Sequence, residues 1–145
     1  MICALLVAAL PTACGSPEPE QLFKQFGLFG TWAVDCAQPA APGNPHVTVR
    51  QPSPSEILEE HHLGDDHPVN RYSVLKAEKL SDTRLQVTAL LHPGTDNEER
   101  QTLVFRVRDH TRRTVSNRPE GGPLRVKDGM VVGSELETPV LHKCE

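Results

Sequence analysis

The chain has 145 residues with 15 Lys/Arg against 19 Asp/Glu, a formal net charge of -4, and 37% hydrophobic residues. That is enough for one domain with a lean core, and an acidic chain with few aromatics to stack on bases excludes a nucleic-acid role. Its four cysteines point to an oxidising compartment once the first residues are read.

Residues 1–15 (MICALLVAALPTACG) carry no charge and are almost wholly apolar. They read as a leader, too short to cross a bilayer, with the small-residue exit of a secretory signal. Met1 runs straight into Ile2 without the Lys or Arg that usually opens such a signal. Two exits stand open: cleavage after Ala13-Cys14-Gly15, or lipidation of Cys14, where Pro11 stands in place of the Leu of the lipoprotein pattern. Removal or lipidation of Cys14 leaves Cys36 and Cys144 as a pair, so parity predicts a disulfide between them. Such a bridge closes a loop of more than a hundred residues. The expected location is exported, periplasmic or secreted, with a membrane link only through a lipid on Cys14.

Residues 16–28 form a short helix and approach segment, with Leu22, Phe23 and Phe26 on one face and Gly27 as the stop. Residues 29–145 then read as one β-domain, because the apolar period drops to two. Phe29–Cys36, His46–Gln51 and Ser55–Leu63 are strand-like, the last despite its helix formers, since Pro54 and Gly64 bracket it. Asn70–Leu80 and Arg84–Leu91 follow, joined by Ser81-Asp82-Thr83, and Leu85, Val87, Ala89 and Leu91 alternate with polar neighbours. Arg100–Arg108 repeats the pattern with Leu103, Phe105 and Val107 inward. Thr111–Asn117 comes after an Asp109-His110 turn. Leu124–Lys127 and Met130–Val132 flank Asp128-Gly129, a strong hairpin signal, and Val140–Cys144 finishes the series. Eight to ten short, evenly spaced strands predict an all-β antiparallel meander closing into a small barrel. Ala37–Pro45 and Arg118–Pro123 are Pro/Gly-rich loops, where function concentrates.

A short helix followed by Gly30-Thr31-Trp32 at the head of the first strand resembles the calycin group: lipocalins, avidins and the small periplasmic inhibitors of bacterial metalloproteases. The resemblance implies a closed barrel with Trp32 and Gly30 at its floor and Leu22, Phe23 and Phe26 sealing it. Lipocalins pair that Trp with an Arg near the end of the last strand, where this chain offers Lys143. Avidin sites use several tryptophans, and this chain has one. The resemblance therefore carries a fold and no binding site.

Charge is uneven, with thirteen Asp/Glu against six Lys/Arg from Ser16 to Glu99, then eight Lys/Arg against three from Arg100 to Met130. The two halves either face each other or solvate separate strand faces. The densest polar run, Glu59-Glu60-His61-His62-Leu63-Gly64-Asp65-Asp66-His67, matches no standard metal spacing; adjacent His61 and His62 on a strand point apart, and the run reads as a solvated acidic stretch without metal. No cofactor is expected. Neither a G-x-S-x-G, an H-E-x-x-H nor a Gly-rich phosphate loop is present, so the expectation is a non-enzymatic binder. Tyr72, Val74, Leu85, Val87, Leu103, Phe105 and Val107 would line a small cavity for an apolar or amphipathic ligand. Two alternatives stand beside it: a protein-binding module such as a protease inhibitor, and a filled barrel with a structural role in the envelope. Oligomeric state is left open.

Overall fold

The structure, a computed structural model, describes residues 17–145. The readings of the leader and of Cys14 lie outside the described residues. One helix, α1 (Pro19–Gln25), is followed by ten strands: β1 (Gly30–Ala33), β2 (His46–Ser53), β3 (Glu56–His62), β4 (Asn70–Lys79), β5 (Arg84–Leu91), β6 (Glu99–Arg108), β7 (Thr111–Pro119), β8 (Val126–Lys127), β9 (Met130–Val131) and β10 (Leu141–Cys144). Every pairing is antiparallel, and each strand from β1 to β7 hydrogen-bonds its successor. β10 pairs with both β1 and β7, closing eight strands into a barrel, while β8 and β9 extend from β7 outside the ring.

The helix opens at Pro19, in the first turn, where the missing N–H is no loss. It ends at Gly27, whose φ of 63° stops the helical path. β1 is shorter than expected. Asp35 turns the chain out of the sheet, its carboxylate accepting from the Ala37 N–H at 2.9 Å, and Asn44 ties the loop by accepting from the Asp35 N–H at 2.9 Å.

Antiparallel pairing places the turns 54–55, 80–83 and 109–110 at the same end as α1, and the longer segments 34–45, 63–69, 92–98 and 120–125 at the other. The helix end is closed by apolar packing. Leu22, Phe23, Leu28 and Trp32 are buried there, in a core continued by Val47, Val49, Ile57, Leu85, Val87, Leu103 and Phe105. The Trp32 indole N–H donates to the Leu28 carbonyl at 2.9 Å, satisfying the one polar atom of a fully buried ring.

Lys143 stands opposite Trp32 on β10, its ammonium 4.7 Å from the ring centre. It also donates to the carbonyls of Gly27 (2.8 Å) and Phe29, tying the last strand to the segment between helix and barrel. Gly30 makes room for it. A Cβ there would come within 3.0 Å of the Lys143 side chain, and the φ of 118° is one that side chains avoid. Cys36 and Cys144 are joined, 108 positions apart in sequence and with their Cα atoms 5.6 Å apart.

Candidate functional site

β-Strand alternation sends Ile57, Glu59 and His61 to the same face, and β2 and β4 meet them with Val49 opposite Glu59 and Tyr72 on the other side. Glu59 is thus carried into the barrel, where it is 5% exposed. From β7, Arg112 enters opposite Val107 and Leu141. Its two terminal nitrogens donate to the two carboxylate oxygens of Glu59 at 2.9 and 3.1 Å, a bidentate pair inside the barrel.

The guanidinium lies 4.3 Å from the Phe105 ring centre and 6.0 Å from that of Trp32. His61 Nε2 is 2.7 Å from Glu59 Oε1. Burial alone would raise the Glu59 pKa, but the charge of Arg112 and the bonds from His61 and Arg112 outweigh it and hold the carboxyl at about 2. The solvated reading of this acidic run is therefore corrected for its strand half. Glu59 is buried, and Glu60, on the outer face, accepts from Arg50 Nε and Arg71 Nε at 2.9 Å each. Those two bonds lower its pKa despite partial burial.

A second polar group occupies the end away from the helix. Gln101 donates to Glu99 at 2.6 Å and accepts from Asn117 at 3.1 Å, and Arg125 forks onto both oxygens of Glu99 at 2.6 and 2.7 Å. The Asn117 side-chain oxygen is buried without a hydrogen-bond partner. Tyr72 is pushed up to about 12, by burial first and then by the negative charge of Glu59.

Five of the predicted lining residues, Tyr72, Val74, Val87, Leu103 and Phe105, do meet in the interior, around a void they share with Glu59 and Ala89. Leu85 is buried in the core, and Val107 lines a surface cleft beside Trp32, Phe26 and His110 at the helix end. The shared void is only about 10 Å³, at the lower limit for one water. Side chains fill the barrel.

Space that reaches inner-face side chains opens at the surface, beside Trp32 and Val107, beside Ile57 and Val74, and at a third place. A cleft of about 150 Å³ opens between the ends of β2 and β3 and the start of β7, lined by Pro45, Val47, His61, Arg112, Arg113, Thr114, Thr138, Pro139 and Leu141. Its apolar lining is Pro45, Pro139, Val47 and Leu141; its polar lining includes Arg112, forked onto Glu59, and Thr138, whose hydroxyl donates to the Thr114 carbonyl at 2.6 Å. Arg113 is fixed by its bonds to Gly129 O (2.7 Å) and Thr138 Oγ1 (3.1 Å).

Sequence reasoning missed Glu59, Arg112 and this cleft. The available signal was parity, since Glu59 stands two residues from Ile57 on the same strand face. What parity does not reveal is the partner, 53 positions away.

Among the described residues, no group of three or more His, Cys, Asp or Glu side chains is placed to hold a metal ion. Compared with known proteins, the chain matches no family model, and neither a curated protein nor a solved structure is found similar to it.

Proposed function

We propose that this is an exported, non-enzymatic binding protein of calycin-like build that takes a small amphipathic molecule in the cleft between β2–β3 and β7. The observation that carries this reading is the cleft itself, about 150 Å³ with apolar walls and the guanidinium groups of Arg112 and Arg113 in its lining. Its volume is below the roughly 300–1,000 Å³ of drug-sized sites, so the ligand has few heavy atoms or is only partly enclosed. The donors favour an acceptor end such as a carboxylate or carbonyl, with the apolar remainder against Pro45, Val47, Pro139 and Leu141. The Cys36–Cys144 bridge suits an oxidising compartment, which supports a periplasmic or secreted location.

A thermal-shift screen with short fatty acids, isoprenoid acids and small aromatic acids tests the reading. Stabilisation that Pro139→Trp abolishes, by filling the cleft from its exposed rim, supports it. Silence across the screen hands the case to a filled barrel with a structural role.

A second reading has its own observation. Val131, Val132, Leu136 and Val140 are exposed around β9, Leu136 to 68%, an apolar group on the outside of the barrel. This favours a protein partner, such as a secreted protease. Nanomolar inhibition of a protease lost in Val132→Asp/Leu136→Asp, with no response to small molecules, would select it.

A further inference from the structure

Within the strands, the outer face of β5–β8 carries cations and no carboxylate, in a chain whose net charge is negative; Glu98 and Glu120 stand beside Arg100 only at the strand ends. Register makes this more than composition. Arg84 on β5 pairs directly with Arg106 on β6, and Arg106 pairs directly with Arg113 on β7. Directly opposed residues hold their Cβ atoms about 5 Å apart on one face, and like charges so placed destabilise a sheet.

Arg100 and Arg118 lie further along the same face, opposite Leu90 and Thr102, and Lys127 lies opposite Ser116. Among the described residues, no carboxylate comes within 4.0 Å of Arg84, Arg100, Arg106 or Arg118. The other arginines of the sheet are treated differently. Arg112 and Arg125 are each forked onto a glutamate, and Arg50 and Arg71 share one. A fold that pairs these arginines, and sets Arg113 against Glu137 at 3.6 Å, leaves Arg84, Arg100, Arg106 and Arg118 uncompensated.

We propose that the outer face of β5–β7 is a docking surface for the phosphate headgroups of an anionic lipid bilayer. Charge complementarity selects an anion, and shape selects a plane. The outside of an eight-stranded barrel is convex, so a flat surface touches it along about three strands, enough to take in the Arg84–Arg106 row on β5–β6 and Arg118 on β7. A flexible polyanion would wrap further, and on either side it would meet Glu78, opposite Gln86 on β4, and Glu137, 3.6 Å from Arg113. Guanidinium groups fork onto phosphate oxygens, and Thr88 and Thr102, opposed on the same face, add hydroxyl donors between them. The face lacks aromatic side chains, so the contact is with headgroups and does not insert.

Sedimentation of the full chain with phosphatidylglycerol/phosphatidylcholine vesicles, against pure phosphatidylcholine vesicles, tests this. Any contribution of the apolar leader is common to both, so the difference between them isolates the headgroup charge. Binding should favour the anionic vesicles and weaken with salt. Arg84→Gln/Arg106→Gln should reduce that preference by about fivefold per arginine while melting no lower than the parent. Arg100→Gln/Arg118→Gln, outside the row, gives a second variant should the first fail to fold. Equal binding to both vesicles, or unchanged preference in both variants, overturns the proposal. Retention on a soluble sulfated polyanion without vesicle preference overturns it too, and reassigns the face.

Discussion

Glu59 and Arg112 place a full ion pair where a small barrel would ordinarily hold two apolar side chains. Desolvating both costs several kcal/mol each, and their mutual attraction offsets this only because the fork is bidentate and His61 bonds the same carboxylate. Breaking one side is therefore worse than removing both. Glu59→Gln should destabilise by about 3–5 kcal/mol, and Glu59→Gln/Arg112→Met should recover much of it, by urea melts at neutral pH. The pair also sets acid sensitivity. Its carboxyl sits at about 2 when folded against an ordinary 4.5, so the unfolded chain binds the proton first and stability falls with pH. The contribution, about 3 kcal/mol, is whole above about pH 5 and is lost as pH drops toward 2. Urea midpoints at pH 7, 4 and 2.5 should fall less steeply in the double variant than in the parent; parallel curves would remove Glu59 as the source.

At the scale of elements, legibility followed hydrophobic alternation. β5 and β6 are read to within a residue because Leu85, Val87 and Ala89, then Leu103 and Phe105, face a core on one side and water on the other. β1, β8 and β9 are short because local turn chemistry ends them, and alternation over two to four residues says little. Asp109 and His110 both adopt positive φ, 50° and 60°, a two-residue hairpin turn built without glycine, so only the break in pattern marked it. The floor was legible in part: Trp32 and the helix face are visible in sequence, whereas the ammonium of Lys143 over that ring depends on the β1–β10 register. Lys143→Met should cost about 2 kcal/mol, the scale of hydrogen bonds to a charged group, by freeing the Gly27 and Phe29 carbonyls. Trp32 is the chain's one tryptophan, so its fluorescence reports the floor without interference. A red shift in Lys143→Met marks water reaching the ring, and an unchanged spectrum with unchanged stability would remove the lysine from the floor's support.

Across the whole molecule, the acidic first part and the basic second part meet in two ion pairs, Glu59 with Arg112 inside the barrel and Glu99 with Arg125 at the end away from the helix, while Arg84, Arg100, Arg106 and Arg118 on the outer face remain unmatched. Composition showed the imbalance, but only the register of β5–β7 separates the cations that are paired from those that are not. The same lean composition makes closure depend on covalent chemistry. β10 has four residues and holds the barrel shut through a short pairing with β7, so the Cys36–Cys144 bridge anchors the last strand to the loop that leaves the first. With the cysteines 108 positions apart, the bridge removes about 4–5 kcal/mol of loop entropy from the unfolded chain. Cys36→Ser/Cys144→Ser should melt about 10–20 °C below the parent, the shift that this energy implies for a domain of this size. Scanning calorimetry of the parent with and without reductant, beside the double variant, separates the covalent link from side effects of substitution. If the bridge acts through closure, the reduced parent and the variant melt together. Loss of less than a few degrees in both would show that the β10 pairings close the barrel without it.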